Sequence, residues 1–174
     1  SATVRDAYAL GLGADWLVNY WGFDENLWRL AGKAAEGAIC AGPAYFFADT
    51  RGKMKLVHDY AAKYNPGIPA KDRIKFTVTA WANVLLLSEA MKRADKAGDL
   101  TGPGILHKGF ETMKDYAILD GGLGTSPVTF TSTDHRTTGI VPVYELREGK
   151  FNYIKTIDVK GRWPQKWPKE WHGW

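Results

Sequence analysis

The sequence predicts an α/β protein, because segments with helical periodicity alternate along the chain with short segments of strand character. Two features support this class most directly: a long amphipathic helix predicted over residues 74–94, and a series of strand segments that begins at Val128. With 174 residues, 45% of them hydrophobic, the chain is long enough to bury one substantial core.

The first elements are a helix and a strand. A helical pattern around residues 7–10 ends at Gly11, and the apolar stretch DWLVNYW, residues 15–21, is expected to form a short buried strand that ends at Gly22.

A second helix and strand follow. Asp24 is a candidate N-cap for a helix that continues to Gly37. The segment AICAGPAYFF, residues 38–47, is expected to be a strand that leaves its sheet at Gly42-Pro43, where it crosses between two parts of the molecule.

The middle of the chain is predicted to be helical. Apolar residues at helical spacing predict helices within residues 50–64 and 74–94, and a shorter helix over residues 106–113. We expect the first two to flank a mixed sheet. From Val128 onward the pattern changes to strands, and Glu148-Gly149 is the predicted turn of a β-hairpin.

Composition argues against several classes of function. The basic and acidic residues, 23 and 19 with a net charge of +4, are scattered, which predicts no nucleic-acid surface. Cys40 is the only cysteine and excludes an internal disulfide. No apolar run approaches the roughly 20 residues of a membrane helix. A signal peptide is expected to be absent from this chain, since its N-terminus lacks the basic-then-apolar pattern.

The stretch TSTDHRTT has the appearance of a catalytic or metal-binding group, since Asp134, His135 and Arg136 are adjacent. The four histidines nevertheless lie in unrelated segments without metal-ligand spacing, and no GxSxG or phosphate-binding glycine motif is present. Asp134 or Thr133 can accept backbone N–H bonds, which favours a polar turn. Cys40 lies in an apolar segment typical of a buried, unreactive thiol. We therefore expect no catalytic residues, no metal and no cofactor.

Aromatic residues are the better candidates for a binding site. Tyr20 and Trp21 fall at the end of a predicted strand, where open α/β sheets place ligand contacts, and Phe76 begins the long helix. Taken alone, the pattern is also compatible with ordinary core packing of these three side chains.

Four segments in order resemble the C-terminal half of the branched-chain amino acid class of ABC transporter substrate-binding proteins. They are GADWLVNYWGFDENLWRLAGKAAEG, AYFFADTRGKMKLVHDYAAKYNP, FTVTAWANVLLLSEAMKRADKAG and GGLGTSPVTFTSTDHRTTGIVPVYELREGKF. The resemblance implies a type I periplasmic-binding fold, in which two Rossmann-like α/β lobes are joined by strand crossovers and close on a ligand. Residues 1–40 and 132–174 would then belong to the C-terminal lobe and 46–124 to part of the N-terminal lobe, with hinge crossovers at 41–45 and 125–131.

The resemblance also implies a function without covalent chemistry. Such a receptor captures an amino acid or similar small carboxylate and delivers it to an ABC permease in the membrane. It would be periplasmic, or extracellular and membrane-tethered. Tyr20, Trp21 and Phe76 match positions that face the ligand. Tyr20 and Trp21 stand where some leucine-binding members have an acidic side chain for the ligand ammonium, so an aromatic ligand or a carboxylic acid without an amine is also plausible.

A complete member of that class would be about twice as long. We therefore expect this chain to be a fragment without the N-terminal site for a ligand's carboxylate and amine, to bind ligand weakly by itself, and to self-associate through exposed sheet or helix surface. Two other functions stay open: a sensory ligand-binding module on the same fold, and a small α/β enzyme.

Overall fold

A computed structural model describes residues 1–167 of the chain. The helices are α1 (Ala2–Ala9), α2 (Glu25–Ala31), α3 (Met54–Tyr64), α4 (Lys75–Lys96), α5 (Gly102–Gly104) and α6 (Val159–Arg162). The strands are β1 (Ile39–Ala41), β2 (Ile140–Arg147) and β3 (Lys150–Asp158). None of the helices in this part of the chain is long and apolar enough to cross a bilayer.

The three strands form one sheet in the order β1-β2-β3, and both strand pairs are antiparallel. Glu148 and Gly149 join β2 to β3 with φ values of 49° and 74°, the left-handed geometry of a tight hairpin turn, which confirms the predicted turn. The expected mixed sheet is wrong, since the one parallel pairing among the described residues is an isolated bridge between Leu17 and Ile39.

The buried side chains divide into two clusters. The helical cluster contains the inner faces of α3 and α4 and the segment 113–130, whereas the sheet cluster contains α1, α2, β1 and β2. The expectation that α3 and α4 flank the sheet is therefore wrong. Their apolar stripes face each other and the chain after α4, so the sheet is covered by α1 and α2 instead.

The expected strand over residues 15–21 is also wrong. Two hydrogen bonds attach it to β1, from Val18 N to the Ile39 carbonyl (2.9 Å) and from Ile39 N to the Trp16 carbonyl (2.8 Å). Leu17 is 84% exposed, and the chain then turns into a 3₁₀ turn at Tyr20–Gly22. The Asn19 side chain accepts a hydrogen bond from Gly22 N at 2.9 Å, so local capping prevents the strand from continuing.

Asp24 caps α2 as predicted, because its carboxylate accepts from Asn26 N at 2.9 Å. The helix ends at Ala31, however, where Gly32 takes a φ of +53°, and a 3₁₀ turn (Gly32–Ala35) replaces the expected continuation to Gly37.

The helices predicted within 50–64 and 74–94 are confirmed as α3 and α4. The third is irregular: α5 is followed by a π-helical turn at Ile105–Gly109 and a 3₁₀ turn at Phe110–Thr112. Residues 125–131 form one isolated bridge, between Val128 and Tyr116, in place of a strand.

Candidate functional site

The structure brings the three predicted aromatic residues together in one cluster. Trp21 stacks on Phe76 with ring centroids 5.2 Å apart, and Tyr20 contacts both rings edge-on, at 5.5 Å from Trp21 and 5.4 Å from Phe76. Trp21 is 73% exposed, whereas Tyr20 and Phe76 are half-buried. The cluster therefore has a solvent-facing aromatic surface on a buried base.

Two elements from different core clusters supply these rings. Tyr20 and Trp21 lie on the 3₁₀ turn that Asn19 caps, rather than on a strand end, and Phe76 lies in the first turn of α4. The aromatic cluster thus lies where the sheet cluster meets the helical cluster.

A buried cation supports the aromatic cluster from beneath. Lys75 is 1% exposed, its Nζ donates to the Tyr20 carbonyl at 2.7 Å, and it lies 3.7 Å from the Tyr20 ring centroid. Phe76, Phe46 and Phe23 surround the same ammonium at 5.3, 5.6 and 5.9 Å. Burial lowers the pKa of Lys75 to about 8, because the charged form is desolvated. The surrounding aromatic faces compensate part of this desolvation cost, since they attract cations.

The Glu25 carboxylate, at the start of α2, is hydrogen-bonded to the backbone of Lys75. One of its oxygens accepts from Lys75 N at 2.8 Å and the other from Phe47 N at 3.0 Å. Burial raises the pKa of Glu25, while these two backbone hydrogen bonds act in the opposite direction. Because both oxygens hold backbone amides, Glu25 fixes the start of α4 and is not directed toward a ligand.

A small cavity adjoins the aromatic cluster. The Tyr20 hydroxyl is 2.5 Å from Thr79 Oγ1, and Thr79 also lines a cavity of about 220 Å³ between α4 and the segments 43–44 and 125–128. Its polar lining consists of one amide and five hydroxyl side chains: Asn83, Thr79, Thr125, Ser126, Thr137 and Thr138. Thr125 Oγ1 is buried without a hydrogen-bond partner in the described part of the chain.

These hydroxyl residues are not among the site candidates predicted from the sequence. The sequence contains these hydroxyl residues in the run GTSP and in Thr137-Thr138. Hydroxyl residues occur in most loops, however, so their presence does not by itself indicate a binding site. Only the packing of α4 against the two predicted crossovers places them around one cavity.

The stretch 131–138 is a polar turn, as predicted. Thr131 Oγ1 accepts from Asp134 N at 2.9 Å, and the Asp134 carboxylate accepts from Arg136 N at 3.0 Å. The Arg136 guanidinium pairs with both Asp134 oxygens and holds the pKa of that carboxyl far below its usual range. Trp167 Nε1 donates to the same carboxylate at 2.9 Å, so the turn is tied to the C-terminal segment.

The described residues include cysteine and histidine side chains that make structural contacts. No three of their His, Cys, Asp and Glu side chains are grouped to hold a metal ion. Cys40 is buried, which raises the pKa of its thiol, and Sγ donates to the Ala41 carbonyl at 3.0 Å. The His58 ring is bonded to the Phe47 carbonyl at 2.7 Å. These contacts are those of packed structural side chains.

Comparison with solved structures shows the same fold in binding proteins of ABC transporters. A branched-chain amino acid ABC transporter structure from Thermus thermophilus with bound valine has a TM-score of 0.73 at 21% identity, over 88% of this chain and 41% of that chain. A fatty acid ABC transporter substrate-binding protein from Thermomonospora curvata has a TM-score of 0.69 at 20% identity, over 89% and 39% of the two chains.

A third structure is a solute binding protein of an ABC transporter from Rhodopseudomonas palustris in complex with p-hydroxybenzoic acid. Its TM-score is 0.63 at 14% identity, over 91% of this chain and 40% of that chain. The present chain thus spans about 40% of the length of the structures it matches. No curated protein sequence matches it.

The family is shown by sequence. A sequence profile described as periplasmic binding protein matches residues 1–150, which is most of the chain, and the type I periplasmic binding fold of the solved structures agrees with it. The chain belongs to the periplasmic binding protein family, a family of solute-binding proteins rather than enzymes.

Proposed function

We propose that this chain is part of the solute receptor of an ABC importer, which captures a branched-chain amino acid or a similar small carboxylate and delivers it to a membrane permease. The receptor would act in the periplasm, or tethered outside the membrane. The structural relatives carry valine and p-hydroxybenzoic acid, and a third is named for fatty acids; all three ligand types have a carboxyl group.

The division of the buried side chains into two clusters supports the proposed two lobes. Residues 1–40 and 132–174 would form the C-terminal lobe, of which 168–174 lie outside the described residues, and the sheet cluster draws nearly all of its members from this part. Residues 46–124 would form part of the N-terminal lobe, which contains most of the helical cluster. The proposed hinge crossovers 41–45 and 125–131 would connect these lobes, and Ala44, Val128 and Phe130 of the crossovers pack in the helical cluster.

The observation that carries the proposed site is the convergence of Tyr20, Trp21 and Phe76. Trp21 stacks on Phe76 and exposes apolar surface to water, and exposed apolar patches of this kind often mark binding sites. It lies between the two core clusters and is linked through Thr79 to a hydroxyl-lined cavity. Apolar walls with a few polar groups are typical of small-molecule sites.

A thermal-shift screen of the complete gene product tests this function. The panel would contain valine, leucine, hexanoate and p-hydroxybenzoate. A ligand at about 100 times its Kd stabilises a one-site receptor by about 2.7 kcal/mol, which is a measurable rise in Tm. Absence of a shift with every amino acid and carboxylate tested would contradict the proposed receptor function.

A further inference from the structure

A second pocket lies away from the aromatic cluster, between the C-terminal end of α3 and the loop 65–73. Its volume is about 700 Å³, within the roughly 300–1,000 Å³ range of small-molecule sites. The wall is mainly apolar, and Phe47, Pro66 and Ile68 contribute to it. We call this pocket the α3 groove.

Arg73 supplies a buried positive charge to the α3 groove. It lines the pocket and is only 8% exposed. Its Nη2 donates to the Ala61 carbonyl at 3.0 Å and to the Asn65 carbonyl, at the end of α3. The guanidinium lies 5.7 Å from the centroid of the Phe47 ring. These contacts use one of its three nitrogens, and residues 1–167 provide no hydrogen bond for Nε or Nη1.

Residues 1–167 provide no counter-ion for this charge. No carboxylate in the described part of the chain lies within 4 Å of the Arg73 guanidinium. Asp59, which also lines the groove, pairs with Lys55 at 2.6 Å, and Asp72 pairs with Arg29 at 3.4 Å. Lys71 adds a second positive charge at the wall.

A buried cation is normally paired, because desolvating an unpaired charge costs several kcal/mol or more. Two carbonyl oxygens at a helix C-terminus compensate part of that cost for Arg73. Nε and Nη1 lie on different edges of the guanidinium and keep their N–H donors, so a carboxylate in the groove can accept a hydrogen bond from one of them and pair with the charge. An anion with an apolar body would make this contact and cover the apolar wall.

We propose that the α3 groove is a second ligand site, which binds a small aliphatic or aromatic carboxylate. The carboxylate pairs with Arg73, with Lys71 nearby, and the apolar body lies against Phe47, Pro66 and Ile68. This site is separate from the aromatic cluster and does not depend on the receptor function proposed above.

Binding of hexanoate to the 174-residue chain, followed by isothermal titration calorimetry and by NMR, tests the proposal, with hexanol as the uncharged control ligand. We expect hexanoate to bind with a Kd of about 1 mM or lower. Hexanol should bind at least about 10-fold more weakly, because it cannot pair with the guanidinium.

Two variants locate the site. Arg73→Gln removes the charge and Ile68→Glu places a carboxylate on the 44%-exposed wall, so each should weaken hexanoate binding by roughly 10-fold or more. Ile68→Glu leaves the capping of α3 intact, so it remains informative if Arg73→Gln fails to fold. Arg147→Gln, at the end of β2, is the matched control and should bind like the wild type.

The proposal is overturned if hexanoate does not bind at about 10 mM, or if it binds equally well to folded Arg73→Gln and Ile68→Glu. Loss of hexanoate binding in Trp21→Ala, with both groove variants unaffected, would place the ligand at the aromatic cluster instead. That result would overturn the second site and leave the receptor function standing.

Discussion

Lys75 connects the two core clusters through a single side chain. Its backbone begins α4 in the helical cluster, while its ammonium donates to the carbonyl of Tyr20, which packs against the sheet cluster. Replacing it leaves that carbonyl without its donor and removes the cation from under the aromatic rings. The orientation of the candidate ligand site therefore depends on a residue that does not itself face solvent.

The depressed pKa of Lys75 predicts a pH-dependent stability. Between about 8 and its ordinary value of 10.5, the unfolded chain holds a proton that the folded chain has lost. The contribution of Lys75 to the free energy of unfolding therefore rises as the pH increases from about 8 to 10.5. We expect the free energy of unfolding, measured in urea, to rise by roughly 1 kcal/mol or more from pH 7.5 to 9 relative to Lys75→Met.

Two checks accompany this measurement. Lys92→Met, on the exposed side of α4, should keep the wild-type pH dependence. Burial raises the pKa of Cys40, which lowers stability as pH rises above about 9, so the comparison ends there. Identical pH profiles for the wild type and Lys75→Met would show that Lys75 does not titrate in this range.

The aromatic cluster makes a prediction about affinity. We expect Trp21→Ala and Phe76→Ala each to weaken binding of the receptor's ligand by about 1–3 kcal/mol, because each removes a packed aromatic contact. Calorimetry on the complete gene product measures this. Tyr8→Ala, at an exposed site on α1, is the control and should leave the affinity unchanged. Unchanged affinity in both cluster variants would exclude this surface as the ligand site.

The link between α3 and the loop that precedes residues 125–131 depends on close backbone contact. Lys53 N donates to the Gly122 carbonyl at 2.7 Å, and a Cβ added to Gly52 would lie 2.5 Å from that same oxygen. Gly52 also has a φ of +57°, which disfavours any residue with a Cβ. No other residue type therefore fits here without displacing the backbone.

Alanine variants of two glycines distinguish the cost of backbone strain at positive φ from the cost of a steric clash with neighbouring backbone. Gly98, just after α4, has a φ of +73°, but a Cβ added there would have no atom within 4 Å. Gly98→Ala should cost about 1–2 kcal/mol from backbone strain alone. Gly52→Ala should cost about 1 kcal/mol more, because the backbone must also move. Urea unfolding of both variants measures the difference, and equal losses would contradict the steric argument.

The molecule as a whole exposes surface that isolated domains normally cover. Every residue of β3 is exposed or half-buried, and β3 is an edge strand with Ile154 45% exposed. On α4, Val84, Leu87 and Met91 are 66%, 45% and 43% exposed at helical spacing. Unpaired strand edges and apolar helix faces both favour association.

We expect the 174-residue chain to form dimers or larger species at micromolar concentration in sedimentation experiments. Ile154→Lys and Val84→Lys, which add charge to the strand and the helix surface, should identify which one is used by shifting the chain toward monomer. A wild-type chain that sediments as a monomer at tens of micromolar would contradict this expectation.

The same reasoning applies to ligand affinity. A two-lobed receptor encloses its ligand, and this chain spans only about 40% of its structural relatives. We expect it to bind the receptor's ligand at least about 10-fold more weakly than the complete gene product, because part of the enclosing surface is missing. Equal affinities in calorimetry would show that the ligand contacts lie within these residues.

The sequence by itself determined the elements whose signals are local. The 3.6-residue periodicity located α3 and α4, Asp24 marked the start of α2, and Glu148-Gly149 marked the hairpin, since capping and turn formation involve only neighbouring residues. The same local chemistry identified residues 131–138 as a polar turn. Tyr20 and Trp21 were instead selected from the end of an expected strand that does not form, and the family resemblance supported them and Phe76.

Tertiary structure alone decided how these elements combine. An apolar run such as residues 15–21 has the same appearance whether its side chains enter a core or, like Leu17, remain exposed. The antiparallel order of the sheet, the burial of Lys75 and the two amides held by Glu25 all join residues distant in the chain. Such contacts depend on which faces meet, and no local pattern encodes that choice.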